Sequence, residues 1–303
     1  MTQRPHDSIL SRLLNAILLV MSKPSITLIG AGNLASALAV ALRAAGYRID
    51  EIVSRPSSRQ RAVRLAQRVH ARAVSSSDAR LSAHVIWFCV NDDAIRDCAL
   101  EYAAKTDWKG KIGLHSSGAL GSDELRVLKR HGAAVASVHP MMTFVAGKAA
   151  GMKGIAFALE GDARAVQAAQ AIATDLGGHP FRIRKENKVL YHAMGAFCSP
   201  LVIALLATGE KVARQAKVPP AELQRVMQPI LQRTLENYVK QGAAASFSGP
   251  INRGDVATVR KHLAALKKAP QARQVYLAVA RAAVGSLPVK NKAELERILQ
   301  SQK

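Results

Sequence analysis

The chain has 303 residues, of which 49% are hydrophobic and 4% aromatic. This composition excludes a disordered chain and can fill one large core or two moderate ones, so we expect two domains. Lysine and arginine number 43 against 21 acidic residues, a formal net charge of +22. Because the basic residues are spread along the chain and aromatic residues are scarce, we interpret them as a solvated surface and do not expect nucleic acid as a partner.

The N-terminal residues contain an apolar run, Leu13 to Met21, that is similar to a signal peptide but lacks a clean cleavage site. We expect residues 1–22 to be an extension, disordered or helical, with Met21 as an alternative start. Three cysteines without metal-ligand or disulfide-scaffold spacing predict a cytoplasmic protein and no bound metal. The apolar run Ala193 to Ala207 is too short to predict a membrane span, so we expect no membrane partner.

A glycine turn follows the first predicted strand, in Ile26-Thr-Leu-Ile-Gly30-Ala-Gly32-Asn33-Leu-Ala35. The first glycine of such a turn permits the tight bend, the second lets the backbone approach a pyrophosphate, and a small third residue lets the next helix pack on the strand. Backbone N–H groups at the start of that helix would face the phosphates. The predicted dinucleotide contacts in this turn are Gly30, Ala31, Gly32, Asn33 and Leu34.

Short apolar strands alternate with amphipathic helices beyond the turn, which is typical of a doubly wound, mainly parallel sheet of the Rossmann type. The strand signal stops near Glu186, and prolines interrupt the helices that follow. We predict a nucleotide-binding domain at 23–184 and an all-α domain at 185–303. The predicted strands are 26–30, 50–54, 71–74, 85–90, 111–115, 134–138, 154–159 and 179–183, and the clearest helices are 34–45, 58–69 and 163–176.

The end of the second predicted strand indicates which dinucleotide binds. NAD-specific domains place a carboxylate there, about 20 residues beyond the glycine turn, to hold the ribose hydroxyls. Here the strand is followed by Ser54-Arg55-Pro-Ser-Ser-Arg59, whose hydroxyl and guanidinium groups suit a 2′-phosphate. A solvated basic loop is the alternative. We predict NADP rather than NAD, bound by Ser54, Arg55 and Arg59.

Polar loops follow the fourth, fifth and sixth predicted strands, at the sheet edge where ligands of such folds bind. Ser116 and Ser117 are predicted to contact substrate, with helix capping as the alternative. His139 is predicted to bind an anionic substrate or transfer a proton, with a buried histidine bonded to a backbone carbonyl as the alternative. The predicted cofactor contacts in these loops are Val90, Asn91 and His115.

Two further polar clusters lie in the predicted helical region. Lys188 and His192 are four residues apart and share a helix face, with Tyr191 on a neighbouring line, so together they could polarise a carbonyl or imine and deliver its proton. A surface lysine beside an interdomain histidine is the alternative. Arg253 could anchor a substrate carboxylate or pair with an acidic residue across a subunit interface.

These segments together resemble the Rossmann-like proteins that carry a C-terminal helical domain of unknown function. That family is similar to pyrroline-5-carboxylate reductase, ketopantoate reductase and the 6-phosphogluconate dehydrogenase-like superfamily. The resemblance extends from about Lys23 to the C-terminus. It rests, in this order, on Gly30-Ala-Gly32-Asn33-Leu-Ala, His115-Ser-Ser-Gly, His139-Pro-Met, Tyr191-His-Ala and Gly249-Pro-Ile-Asn-Arg-Gly-Asp.

The resemblance implies an active site in a cleft between the two domains and a homodimer paired through the C-terminal helices. Related dehydrogenases carry a lysine followed four residues later by asparagine, and Lys188 and His192 have that spacing here. We expect an NADP-dependent oxidoreductase that acts on a small carbonyl, hydroxy or imino acid. The predicted catalytic residues are Lys188, His192 and His139, and the predicted substrate contacts are Ser116, Ser117, Tyr191 and Arg253.

An alternative function belongs to a different class of protein. Because no single acid–base residue stands out in the sequence, the chain could be an NADP-binding sensor or regulatory protein with little turnover.

Overall fold

The computed structural model describes residues 23–145 and 151–301, so the predicted extension at 1–22 lies outside the described residues. Contacts between residues divide the chain into two units, Met1–Gly195 and Ala196–Lys303. The division falls later than the change in composition near residue 184. The reason is that Lys188, at the start of a helix, hydrogen-bonds to the sheet-edge residues Ser117 and Ser137.

The first unit is built on an eight-stranded sheet with the strand order β3-β2-β1-β4-β5-β6-β7-β8. Strands β1 to β6 are parallel, β7 runs antiparallel to β6, and β8 is parallel to β7. The doubly wound, mainly parallel fold is therefore confirmed. The strands are β1 (Ile26–Ile29), β2 (Ile49–Ser54), β3 (Arg72–Ser75), β4 (Val85–Phe88), β5 (Ile112–His115), β6 (Ala134–Pro140), β7 (Ala156–Gly161) and β8 (His179–Arg182).

Helices cover both faces of this sheet, because β1, β4 and β5 are buried along their whole length. Helices α1 (Asn33–Ala44), α2 (Arg59–Val69) and α5 (Ala163–Asp175) share one core with Trp87. Helices α3 (Ile95–Ala103) and α4 (Arg126–Arg130) share a second core with Phe88 on the other face.

The second unit is helical, as predicted. Helix α6 (Lys188–Cys198) leads into it and is followed by α7 (Pro200–Gln215), α8 (Pro220–Ser246), α9 (Val256–Ala265), α10 (Pro270–Ser286) and α11 (Lys292–Gln300). Helices α9, α10 and α11 share a small apolar core. Helices α7 and α8 contain no buried residue and expose Leu201, Ile203, Leu205, Val226, Ile230, Leu235, Tyr238 and Val239.

One helical stretch among the described residues, Lys185–Gln215, is long and apolar enough to cross a membrane by length and composition alone. Ser199 has φ and ψ angles of −136° and −83°, which divide the stretch into α6 and α7. The segment is therefore two helices, and the first is anchored at the sheet edge by Lys188.

Candidate functional site

The glycine turn between β1 and α1 has the shape of a phosphate cradle. Gly30 has a φ of +115°, and a Cβ there would lie 2.3 Å from the carbonyl oxygen of Cys89, so only glycine fits. At Gly32 a Cβ would meet no atom within 4 Å, which leaves that side of the turn open. No side chain caps α1, so its first N–H groups are available to an anion. The turn fits a pyrophosphate.

A cavity of about 330 Å³ lies beside this turn, at the carboxyl ends of β1, β2 and β4. Doubly wound folds bind nucleotides at this position. Seven of the predicted cofactor contacts line it: Gly30, Ala31, Gly32, Ser54, Arg55, Val90 and Asn91. Four other predicted contacts do not: Asn33, Leu34, Arg59 and His115.

Several polar residues that were not predicted also line the cavity, among them Ser58, Arg61 and Ser76. Ser58 and Arg61 reach it because a short 3₁₀ turn, Pro56–Ser58, leads the chain from β2 into α2. The run of serines and arginines after β2 indicates residues suited to a phosphate. Which of these side chains face the cavity depends on the 3₁₀ turn and cannot be predicted from the run itself.

The end of β2 suits a phosphate. Ser54 is 6% exposed, and its hydroxyl has no hydrogen-bond partner in the described structure. A buried hydroxyl without a hydrogen bond destabilises the fold, so we expect a ligand or a water molecule to form a hydrogen bond with Ser54. Glu51, a carboxylate on the same strand, is unavailable to a ribose because it accepts hydrogen bonds from the N–H groups of Arg80 and Leu81.

His115, at the end of β5, is held entirely within its own loop. Its Nε2 donates to the carbonyl oxygen of Gly121 at 2.9 Å, and its Nδ1 accepts from the N–H of Ser117 at 3.2 Å. Burial lowers the pKa of His115 to about 4, so the ring is neutral at pH 7. With both ring nitrogens engaged, His115 contacts a cofactor only if this loop rearranges.

The two serines after His115 also have internal partners. Ser116 Oγ accepts from Trp87 Nε1 at 2.8 Å. Ser117 Oγ donates to Asp92 at 2.6 Å and accepts from the N–H groups of two residues that follow it, Ala119 and Leu120. Ser117 therefore caps a turn, which is the structural alternative to its predicted role in substrate binding.

His139, on β6, packs against two side chains of α6. Its ring centroid lies 5.7 Å from the centroids of both Tyr191 and His192, edge to face. Gly118 makes room for this cluster, since a Cβ there would lie 2.4 Å from His192 Cδ2. Burial, with smaller contributions from Lys188 and His192, lowers the pKa of His139 to about 4. The ring is therefore neutral at pH 7.

Two polar atoms of this cluster lack partners. The Nδ1 atom of His139 and the hydroxyl of Tyr191 are both buried without a hydrogen bond in the described part of the chain. Burial raises the pKa of Tyr191, which keeps its hydroxyl protonated and able to donate. Each atom is a buried polar group whose hydrogen bond is not supplied by the described residues.

Lys188 is fully buried beside this cluster. Its Nζ donates to the carbonyl oxygen of Ser117 at 3.1 Å and to the hydroxyl of Ser137 at 2.8 Å. Desolvation lowers its pKa, and no salt bridge to it occurs within residues 23–145 and 151–301. The structure thus brings the three predicted catalytic residues together, with Lys188 enclosed and His192 exposed.

The loop after His139 returns to the glycine turn. Asn33, the first residue of α1, donates from Nδ2 to the carbonyl oxygen of Phe144 at 3.0 Å. This hydrogen bond connects the cradle to the segment that carries His139.

Arg253 lies in the second unit, in the turn before α9. Its N–H donates to the carbonyl oxygen of Gly249 at 3.1 Å, and its side chain is exposed. Asp255 caps α9 by accepting from the N–H of Thr258 at 3.0 Å. The predicted substrate role of Arg253 stays a prediction.

Two protein families match this sequence. Residues 15–140 match the family described as a Rossmann-like domain, and residues 155–283 match DUF2520, a domain of unknown function. No curated protein matches the chain.

Solved structures share the fold at low sequence identity. A candidate NADP oxidoreductase from Bacteroides fragilis is 23% identical over 86% of this chain and 98% of its own, with a TM-score of 0.72. A protein from Thermotoga maritima is 24% identical over 91% of this chain and 99% of its own, with a TM-score of 0.68. The imine reductase from Myxococcus stipitatus in complex with NADP+ is 20% identical over 91% of this chain and 100% of its own, with a TM-score of 0.64.

Proposed function

We propose that this chain, which joins a Rossmann-like domain to a DUF2520 domain, is an NADP-dependent oxidoreductase acting on a small carbonyl, hydroxy or imino acid. The observation that carries the proposal is the cavity at the carboxyl ends of β1, β2 and β4. It offers an open glycine cradle, an unpartnered buried Ser54 hydroxyl and two arginines, Arg55 and Arg61. The cofactor named for the imine reductase of similar fold supports the same assignment.

Different residues would hold the pyrophosphate and the 2′-phosphate of the cofactor. Gly30, Gly32 and the N–H groups of α1 would hold the pyrophosphate, and Ser54 and Arg55 the 2′-phosphate. NADPH, when bound, supplies a hydride.

The polar atoms near His139 would orient the substrate. The Tyr191 hydroxyl, which burial keeps protonated, donates a hydrogen bond to the substrate oxygen or nitrogen. His139, whose ring is neutral at pH 7, would hydrogen-bond to the substrate, and His192 is the other candidate for proton transfer. Lys188 acts at a distance, because its positive charge favours negative charge that develops on the substrate.

Binding of the two dinucleotides tests this proposal directly. Calorimetric titration should detect NADPH binding that is tighter than NADH binding. The R55A variant should weaken NADPH binding by at least about tenfold and change NADH binding little, because it removes a charged hydrogen-bond donor. R126A is the matched control, since Arg126 lies on α4, which packs in the core on the opposite face of the sheet, and does not line the cavity. Failure of both dinucleotides to bind would remove the proposal, and equal weakening by R55A would remove the 2′-phosphate assignment.

A specific observation favours a second candidate, an NADP-binding sensor with little turnover. Lys188 is enclosed, both nitrogens of His115 are engaged, and the described cluster around His139 contains no carboxylic acid. Single-turnover oxidation of bound NADPH across a panel of keto and imino acids separates the two functions. Measurable oxidation with any member of the panel supports the enzyme.

We also propose a cytoplasmic homodimer paired through the C-terminal helices. The exposed apolar side chains of α7 and α8 support the dimer, because exposed apolar surface often marks an interface with another protein chain. The three free cysteines support a reducing compartment.

A further inference from the structure

We propose that α2 carries an electrostatic guide for the cofactor. The guide is an exposed row of three arginines, Arg61, Arg64 and Arg68, which speeds the association of NADPH and favours it over NADH. This inference rests on the proposed function, because it assumes that the cavity beside Arg61 takes NADPH.

The three arginines form a row because of their spacing. Residues three and four apart lie on the same side of a helix, so Arg64 and Arg68 follow Arg61 along the exposed side of α2. Its buried side consists of Ala62, Leu65, Ala66 and Val69. Arg61 lines the cavity, so the row begins at the proposed 2′-phosphate site and runs outward over the surface.

The row carries uncompensated charge. None of the three guanidinium groups forms a salt bridge in the described structure, and residues 55–69 contain five arginines and no carboxylate. Arg61, in the first turn of α2, also opposes the helix dipole, which typically costs about 0.3–1 kcal/mol, whereas Arg68 lies in the last turn, where the dipole favours a cation.

The acidic residues near the cavity lie on its other wall. Asp93 and Glu101 line the cavity from the segments that follow β4, and Glu101 pairs with Lys105 at 3.2 Å. Glu51, on β2, is buried and bonded to backbone N–H groups. An approaching anion therefore meets positive charge on the α2 side and negative charge opposite, so α2 is the favoured side of entry.

The positive charge of the row should favour NADPH over NADH, because NADPH carries more negative charge. The 2′-phosphate adds about −1.5 to −2 charges to NADPH relative to NADH. A field of one sign raises association rates by roughly 10- to 1,000-fold for charged ligands, and salt screens it over about 10 Å at 0.1 M. NADPH should therefore gain more from the row than NADH.

Stopped-flow fluorescence of NADPH and NADH separates association from dissociation. We expect R64Q/R68Q to lower the NADPH association rate constant about 3- to 10-fold at low ionic strength and to lower the NADH rate constant less. The dissociation rate constant should stay within about twofold, since neither residue lines the cavity. The difference in association rate constant between R64Q/R68Q and the wild type should vanish near 0.5 M salt.

Two further variants make the test decisive. R126Q/R130Q removes the same net charge from α4, which packs in the core on the opposite face of the sheet, and should change the rate little. R64K/R68K keeps the charge and should restore the wild-type rate. The inference is overturned if R64Q/R68Q behaves like R126Q/R130Q, or if only dissociation changes. Absence of NADPH binding in the wild type would instead overturn the proposed function.

Discussion

Single residues at the sheet edge are held in their neutral forms by burial. Burial lowers the pKa values of His115 and His139 to about 4. In an unfolded chain each of these rings takes up a proton near pH 6.5. The folded state binds fewer protons than the unfolded state below that pH, so acid favours unfolding.

We expect the free energy of unfolding to fall as the pH falls from 7 to 5. The contribution of His139 is fully present above about pH 6.5 and is lost toward pH 4, by about 1–2 kcal/mol at pH 5. Carboxylates with lowered pKa values, such as Asp123 and Asp175, lose their contribution only below about pH 4. Urea denaturation of the wild type and H139N at pH 7, 6 and 5 measures the difference.

The exposed His131 provides the control for this experiment. The free energy of unfolding of H131N should depend on pH as that of the wild type does, whereas that of H139N should depend on pH less. Parallel curves for wild type and H139N would show that His139 is not held neutral by the fold.

The charge of Lys188 should add to the effect of burial in lowering the pKa of His139. Because the buried ammonium lowers the pKa of His139, replacing it in K188M should raise that pKa toward its ordinary value. An NMR pH titration of the His139 ring measures the change. K185M is the matched control, since Lys185 is half exposed and paired with Asp123. An equal change in both variants, or none in K188M, would contradict this role.

The secondary-structure elements follow local sequence patterns, and this is why they could be predicted. All eight predicted strands are present, and most of them are short apolar or β-branched runs; β3 and β8, at the two edges of the sheet, are mixed polar segments. The side-chain partners of the site could not be predicted, because they are distant in sequence. Lys188 is enclosed by Ser117 and Ser137, which precede it by 71 and 51 residues. Nothing near Lys188 in the sequence indicates that it is buried.

The glycine turn offers a matched pair of variants. G30A should lower the free energy of unfolding by at least about 2 kcal/mol, because the new Cβ would collide with the carbonyl of Cys89 at a strained φ. G32A should change the free energy of unfolding by no more than about 0.5 kcal/mol, because its Cβ meets no atom within 4 Å. It should weaken NADPH binding, because the Cβ blocks the approach of the pyrophosphate. Thermal unfolding with and without NADPH tests both. Loss of stability in G32A, or wild-type NADPH affinity in that variant, would contradict the cradle.

The whole molecule combines a well-filled first unit with a second unit that leaves apolar surface uncovered. The small core of α9, α10 and α11 does not include α7 or α8, whose large apolar side chains are exposed. The sequence indicated helices here but not which of their faces are exposed, because that depends on tertiary packing.

We expect the dimer to depend on this surface. Ile230, on α8, is 65% exposed, and I230D places a charge where the partner would pack. Light scattering after size-exclusion chromatography should give twice the chain mass for the wild type and a shift toward the monomer for I230D. L100D, on α3, changes an equally apolar residue with 55% exposure and should leave the mass unchanged. A wild-type monomer, or an unchanged mass for I230D, would contradict the dimer.

The hydrogen bond from Asn33 to Phe144 has a thermodynamic consequence. It joins the first turn of α1 to the loop after His139, so we expect a molecule that fixes either segment to favour binding at the other. Coupling of this kind is reciprocal: the factor by which one ligand tightens a second equals the factor by which the second tightens the first. Compounds that fix the loop near Phe144 should therefore be recognisable by their effect on the affinity for dinucleotide, before any reaction of theirs is known.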